Sequence, residues 1–172
     1  MSSQYNYERE LKGILSADEL VLEKVTRSFD EFTKAQYYLI TKHPFLVIRA
    51  AGSFGEDLVA LRGDVGFPIE VKASKKALFH FSNTQKLKEQ QEEFVKVCRR
   101  TGTLPVYAFR LKNVRGQDPW RMFTLKVDNI KGVMRLISNR LPKLEKTAGG
   151  YHKMPWKDGM PLSRFIEYLC HE

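Results

Sequence analysis

Two strand-like segments joined by a short turn restrict the fold of this chain more than any other feature. The segments are DLVALR and FPIEVKA, and GDVG between them is a typical turn sequence. Antiparallel neighbours place the start of one strand opposite the end of the next, so we predict that Asp57 and Glu70 lie close together. Glu70 and Lys72 are two positions apart and point to one face of their strand, whereas Val71 points to the other.

Acidic residues in such strands need a positive charge nearby. Two facing carboxylates repel each other, and one would stay protonated unless a cation is present. Lys72 supplies one positive charge, and a hard divalent cation would supply the rest. Ligands that are all oxygen suit Mg²⁺, so we expect Mg²⁺ as the cofactor, with Mn²⁺ able to substitute.

The segment before the hairpin, VIRAAGSFGED, adds Arg49 and a Gly-Ser-Phe-Gly loop. Such a loop allows backbone N–H groups and a small hydroxyl to approach a phosphate, although it can also be a plain turn. An acid and a lysine two positions apart are often only part of a solvated strand face. The combination of Arg, Gly-Ser, Asp and Glu-x-Lys within residues 49–72 is far more specific.

These segments resemble a known family, the archaeal Holliday-junction resolvases, which belong to the restriction-endonuclease-like nucleases. The similarity lies in ERE near the N-terminus and in VIRAAGS, DLVAL and IEVKAS, and residues 49–72 match the family arrangement without a gap. It continues through TQKLKEQQEEFVKVCRRTG, PVYAFRL and WRMF to about residue 127. The resemblance implies a restriction-endonuclease-like fold and cleavage of junction DNA.

The resemblance also implies roles for individual residues. Asp57 and Glu70 would bind Mg²⁺, and Glu8, the first acid of ERE, would complete the metal site and take part in catalysis. Lys72 would help to activate the attacking water. Ser53 would act in catalysis by holding the phosphate near the scissile bond.

Further basic residues are predicted to contact DNA. By the resemblance, Arg49 would hold the scissile phosphate together with Ser53. Lys75 and Lys76 are interpreted as contacts to the phosphate backbone, which position DNA without reading its sequence. The alternative for these two lysines is a role in solubility only.

One departure from the family concerns the third acid of the metal site. About two dozen extra residues separate ERELKGIL from VIRAAGS. Because this insertion changes how the first helix is connected to the hairpin, Glu10 or Glu31 could project toward the site in place of Glu8.

The periodicity of the chain favours an α/β fold with a mixed sheet over a doubly wound parallel one. Helices are predicted at residues 5–15, from 18 to about 41 with Asp18 or Ser16 as N-cap, and from Thr84 as N-cap to Gly102 as the end, with Asp128 capping a later one. In the second helix, one face would be formed by Leu22, Val25, Phe29, Phe32, Gln36 and Leu39. The helices would flank a central β-sheet.

The predicted domain organisation is a nuclease core with a basic extension. Residues 1–127 form the core, with a helical insertion at about 16–43, and residues 128–172 form a basic C-terminal extension packed on the same domain. The net charge is +9, and most of it lies in residues 110–172, which carry 13 basic and 6 acidic groups. A basic surface binds polyanions by counterion release, and nucleic acid is the commonest one.

Composition also limits where the protein acts and which classes of protein it can belong to. No apolar run of about 18 residues and no signal-peptide h-region is present, so we expect no membrane contact. Two cysteines, Cys98 and Cys170, are interpreted as free thiols in a reducing, cytoplasmic location associated with the nucleoid. The absence of a Walker loop, dinucleotide motif or zinc signature argues against ATP, NAD or zinc enzymes.

The leading hypothesis is a Mg²⁺-dependent, structure-selective endodeoxyribonuclease. It would resolve four-way junctions by paired symmetric nicks in homologous recombination and repair. Its partners would be branched DNA, a second copy of the chain, and replication or recombination proteins. The alternatives are a DNA repair nuclease of the same fold acting on other DNA structures, and a basic DNA-binding module without catalysis. Phe94, Val97, Leu104 and Tyr107 are candidates either for a dimer interface or for the core of one chain.

Overall fold

Helices surround two β-sheets in the computed structural model, which describes residues 3–50, 57–81 and 84–171. The α-helices in these ranges are α1 (Ser3–Leu15), α2 (Glu19–Thr26), α3 (Glu31–Tyr38), α4 (Gln85–Thr101), α5 (Gly132–Arg140) and α6 (Leu162–Cys170). Short 3₁₀ helices follow α3 at Leu39–Thr41 and precede α6 at Trp156–Asp158. Within the same ranges, no helix is long and apolar enough to span a membrane.

The strands form a larger mixed sheet and a smaller antiparallel one. They are β1 (Leu46–Arg49), β2 (Leu58–Leu61), β3 (Gly66–Ser74), β4 (Leu78–His80), β5 (Val106–Leu111), β6 (Trp120–Thr124), β7 (Glu145–Lys146), β8 (His152–Pro155) and β9 (Met160–Pro161). In the described residues the larger sheet has the order β1-β2-β3-β5-β6-β9, and the smaller has the order β4-β8-β7. Only the β3–β5 pair of the larger sheet is parallel there. The predicted fold class, α/β with a central mixed sheet flanked by helices, is confirmed.

The predicted hairpin is present as β2 and β3. Leu58 pairs with Ile69 and Leu61 pairs with Gly66, and the turn is closed by a 2.8 Å hydrogen bond from the Arg62 N–H to the Val65 carbonyl. Along β3 the buried residues alternate with partly exposed ones. Glu70 and Lys72 therefore lie on the face opposite the buried Val71, as the sequence predicted.

Each face of the larger sheet has its own apolar core. On one face, α1, α2, α3 and α6 pack against the buried residues of β2 and β3 and against Val106 and Ala108 of β5. On the other face, Phe94 and Cys98 of α4 and Met154 of β8 pack against Tyr107 and other aromatic residues of β5 and β6. The alternation along β5 thus supplies both cores, which fixes the strand between two layers.

The prediction of one continuous helix from residue 18 to about 41 is wrong, because the segment forms two helices, α2 and α3. Asp18 caps α2 as expected, by accepting hydrogen bonds from two backbone N–H groups of the first turn. A second cap, Asp30, accepts a 2.8 Å bond from the Thr33 N–H and starts α3 as a separate helix. The restart changes which face points inward, so Phe32 is 71% exposed although it was predicted to be buried.

Of the helix caps predicted elsewhere, those of α4 are confirmed and that of α5 is wrong. Thr84 and Gly102 cap and end α4, and Gly102 has the positive φ of 71° that favours glycine. The Asp128 cap is wrong, because α5 begins at Gly132, with Lys131 before it and no side-chain cap. The backbone turns at Asn129, which has a φ of 68°, before the helix can start.

The segment after residue 127 contributes to the same layers as the rest of the chain. Strand β9 pairs with β6, and α6 buries Phe165 and Ile166 against the core that contains α1 and α3. The Trp156 indole N–H donates to the Pro119 carbonyl at 2.9 Å, and the Arg121 guanidinium lies 3.7 Å from the centre of the Trp156 ring. These contacts attach the basic segment to the sheet.

The residues suggested for a dimer interface belong mostly to the monomer core. Phe94, Leu104 and Tyr107 are buried within one chain and are unavailable for contact with a second copy. Of the two alternatives, the core applies to these three residues: Phe94 and Tyr107 pack between α4 and the sheet, and Leu104 packs in the core on the other face.

Candidate active site

The hairpin brings Asp57 next to the part of β3 that carries Glu70 and Lys72. The Asp57 backbone N–H donates to the Ile69 carbonyl at 2.8 Å, and its Oδ2 accepts a 2.6 Å hydrogen bond from the Val71 N–H. Lys72 Nζ lies 2.9 Å from Glu70 Oε1. The three residues therefore form a compact acid centre, which we define as Asp57, Glu70 and Lys72.

Electrostatics around Asp57 are unfavourable for its ionised form. Burial is the main reason that the pKa of Asp57 rises from its usual 3.8 to about 6. The Val71 N–H opposes this rise, whereas the negative charges of Glu8 and Glu70 add to it and Lys72 reduces it. The centre thus holds more negative charge than its own cations compensate.

Glu8 reaches this region from the first helix. It lies three residues before Leu11 and seven before Leu15, so it shares the buried face of α1 with these core residues. Glu8 Oε2 is 3.2 Å from Arg49 Nε at the end of β1. Arg49 in turn stacks on the Tyr5 ring at 4.2 Å, so the predicted phosphate-binding arginine lies beside the acid centre.

The two alternative acids occupy other places. Glu10 Oε1 accepts a 2.8 Å bond from Arg110 Nε and a 2.9 Å bond from the Trp120 indole N–H, which ties α1 to β5 and β6. Glu31 is exposed at the start of α3. Glu8, whose charge acts on Asp57, is therefore the acid that the fold places toward the centre.

Of the other residues predicted to contact DNA, only Lys75 and Lys76 lie in the described part of the chain. Ser53 and the rest of the Gly-Ser-Phe-Gly loop lie outside the described residues. Lys75 and Lys76 are exposed just beyond the end of β3. Their exposure leaves them accessible to a phosphate backbone that approaches the acid centre.

An aromatic wall beside Lys72 was missed from the sequence. Lys72 Nζ lies 5.9 Å from the centre of the Phe79 ring and 6.0 Å from that of Phe81, and the two rings meet edge to face at 5.2 Å. Phe79 and Phe81 are two positions apart in LFHF, a spacing that places two side chains on one face of a strand and could have indicated the pair. The two rings therefore lie on one side of the Lys72 ammonium, which is also paired with Glu70.

The donor set is suited to a hard divalent cation, because Glu8, Asp57 and Glu70 offer only carboxylate oxygens. The raised pKa of Asp57 marks a position where added positive charge would favour the ionised form. In the described part of the chain, no three acidic, histidine or cysteine side chains lie close enough together to enclose a metal ion. Glu8 and Glu70 contact Arg49 and Lys72 instead, so metal binding would exchange these partners.

Comparisons with known proteins identify a family and a similar solved structure. A family model described as archaeal Holliday junction resolvase (Hjc) matches residues 35–151, which include Asp57, Glu70 and Lys72 and begin after Glu8. The match also extends beyond residue 127, where the similarity was predicted to end. A solved structure of Hjc from Archaeoglobus fulgidus, described as a Holliday junction resolvase from an archaeal hyperthermophile, is 23% identical, covers 74% of this chain and 89% of its own, and has a TM-score of 0.47.

The raised pKa of Asp57 predicts a pH-dependent gain in stability for Asp57→Asn. In the folded protein, ionisation is disfavoured up to about pH 6, whereas the unfolded chain ionises near pH 3.8. The penalty is therefore absent below about pH 4, grows as the pH rises to 6, and is constant above. The amide can still accept from the Val71 N–H, so we expect the variant to be more stable at pH 7 by about 1–2 kcal/mol, a value reduced for partial solvent exposure.

Urea unfolding between pH 4 and 7, with EDTA present, measures this difference. Asp128→Asn, the same change at an exposed acid, is the matched control and should show no comparable pH dependence. A difference between Asp57→Asn and the parent that stays constant across this range would contradict the assigned electrostatics.

Proposed function

The chain belongs to the archaeal Holliday junction resolvase family, and from that premise we propose that it is a Mg²⁺-dependent endonuclease that resolves four-way DNA junctions by paired, symmetric nicks. The observation that supports this most directly is Asp57, which is fixed by the hairpin register beside Glu70 and acted on by the charge of Glu8. A module that only binds DNA gains nothing from carboxylates placed near phosphate.

In the proposed reaction, each residue of the site has a separate task. Asp57, Glu70 and Glu8 would hold Mg²⁺, which would stabilise the negative charge that builds on the phosphate during hydrolysis. Lys72, next to the aromatic wall, positions the attacking water and places a positive charge toward the phosphate. Arg49 would bind the phosphate once Glu8 turns away from it.

Binding of the DNA arms is assigned to the basic surface beyond the centre. Lys75 and Lys76 extend from the end of β3 and would contact the backbone of the strand that is cut. These contacts are independent of sequence, as expected for recognition of a branched shape. Replication or recombination proteins would meet the enzyme at other surfaces.

We also propose that two copies of the chain act together. A four-way junction has near two-fold symmetry, and one acid centre per chain calls for two chains to make two matched nicks. Strand β1 lies at one end of the larger sheet in the described residues. There Leu46 and Ile48 are 63% and 48% exposed on one strand face, beside Leu61, which is 41% exposed and pairs with Leu46. This apolar strand edge is the proposed dimer face, since an exposed edge readily pairs with a second copy.

Loss of either acidic ligand should separate cleavage from binding. Asp57→Asn and Glu70→Gln should abolish Mg²⁺-dependent cutting of a synthetic four-way junction, because an amide does not replace the ligand charge. Junction binding without metal should persist or tighten, since a negative charge near phosphate is removed. Gel assays for cutting and anisotropy for binding, with Asp128→Asn as control, measure both quantities.

Two results would redirect the proposal. If the parent protein cuts a matched linear duplex as fast as the junction, the enzyme is a nuclease for other DNA structures. If a folded Asp57→Asn variant loses binding together with cutting, the acid centre is structural.

Lys72→Ala should slow the chemical step by roughly two orders of magnitude or more while the requirement for Mg²⁺ stays intact. Removing the ammonium leaves the phosphate charge without its positive partner, but keeps the carboxylate ligands. Single-turnover rates at saturating enzyme report this step. Lys75→Ala is the matched control and should change affinity only; equal rates for both variants would show that Lys72 is a bystander.

Charge placed on the proposed dimer face should separate the two chains. Light scattering should give a mass near twice 20.0 kDa for the parent protein. Leu46→Asp with Ile48→Asp should give a monomer, because two desolvated carboxylates would oppose each other across the two-fold axis. Leu20→Asp, at a leucine that is 79% exposed on α2, is the control. A parent protein that is monomeric yet cuts both strands in concert would overturn the proposed pairing.

A further inference from the structure

A basic cavity of about 790 Å³ lies between α4 and the C-terminal segment. Its cations come from both walls, and they are Lys88, Lys96, Arg99, Lys126, Lys143 and Lys146. Among the lining residues, all of them within the described part of the chain, Glu92 is the one acid. The net charge of the lining is therefore +5, six basic groups less one acidic group, with histidine neutral.

The six cations of the lining are free of ion pairs in the described part of the chain, residues 3–50, 57–81 and 84–171. Lys143 is also held in place, because its Nζ donates to the carbonyls of Leu141, at 3.1 Å, and Ser138. The six positive charges around the cavity repel one another, and a bound anion would relieve this repulsion.

The cavity also contains aromatic and apolar side chains suited to a nucleobase. Phe81, Tyr151 and His152 line it, and Val95 and Leu125 add apolar surface. Gln91 and His152 interact with the protein itself, Gln91 with the Tyr107 hydroxyl and His152 with the backbone of Glu145, so the aromatic faces are what the cavity offers to a base. Aromatic surfaces beside basic side chains are typical of sites that bind unpaired nucleotides.

Phe81 connects the cavity with the acid centre. Its ring centre lies 6.0 Å from Lys72 Nζ, and its edge-to-face contact with His152, at 6.4 Å, is part of the cavity lining. The same side chain therefore borders both places. A DNA strand that leaves the acid centre along this side chain would enter the cavity next.

We propose that the basic cavity binds unpaired nucleotides of the DNA strand that continues past the acid centre. This rests on the proposed nuclease function, and it specifies the substrate as a junction with a locally unpaired strand. The cavity has the volume of a small-molecule pocket, which fits nucleotides but excludes a duplex. Six cations match the phosphates of several linked nucleotides, whereas a free nucleoside monophosphate carries only about two negative charges.

The test measures binding of a fluorescent octathymidylate without divalent metal. Lys126→Gln with Lys146→Gln should weaken this binding about tenfold and lower the slope of log affinity against log salt by about 1.4, which is 0.7 for each lost contact. Lys12→Gln with Lys24→Gln makes the same charge change at exposed lysines of α1 and α2, and should change affinity less than about twofold. Tyr151→Ala should weaken binding about tenfold, and Tyr151→Phe should keep it, if the ring stacks on a base.

Competition with thymidine 5′-monophosphate and inorganic phosphate separates the sources of the anion. Both should displace octathymidylate only at concentrations far above its dissociation constant. Displacement by the monophosphate at equal concentration would identify a free-nucleotide site and overturn the proposal, as would equal losses in the cavity and control variants. This assay needs no cleavage, so it separates the two proposals. If the parent protein does not cut junctions but the cavity variant still loses octathymidylate binding, the nuclease function is refuted and the binding site is not.

Discussion

The register of β3 in the larger sheet is the constraint on which the site depends. Pairing of Leu58 with Ile69 on one side and of Ile69 with Val106 on the other leaves β3 no freedom to shift. A slip by one residue would turn Glu70 and Lys72 into the apolar core and expose Val71. The cost of burying two charges therefore disfavours this shift and every other shift by an odd number of residues, and the pairing on both sides of β3 opposes the even ones.

Two partly or fully buried acids, Asp118 and Asp57, have different surroundings in this protein. Asp118 accepts hydrogen bonds from the Tyr37 hydroxyl and from the backbone N–H groups of Trp120 and Ser163, so its oxygens are satisfied and it joins α3, β6 and α6. Asp57 has one backbone donor at Val71 and two negative neighbours. Burial raises the pKa of both carboxyls, but only Asp57 lies where further acids raise it more.

What could be predicted from the sequence was determined by short-range geometry. The hairpin and the shared face of Glu70 and Lys72 follow from the turn signal and from the alternation of a strand, and both were found. Phe32 was misplaced because the Asp30 cap restarts the helix, a local event that the apolar spacing hides. The aromatic wall and the basic cavity were not identified as sites, since they depend on pairing between β4 and β8 and on packing of α4 against the C-terminal segment.

The pairing of β4 with β8 also has a consequence for the order in which the molecule assembles. Leu78 pairs with Pro155, a separation of 77 residues, whereas β2 and β3 are joined by a short turn. Closing so long a loop costs more chain entropy, and contacts between distant residues form slowly. The hairpin can thus form early, while Phe79 and Phe81 reach their final position only when β8 arrives. A refolding chain would pass through a stage in which its acids are aligned but Lys72 still lacks the two rings beside it, so that activity would return after secondary structure.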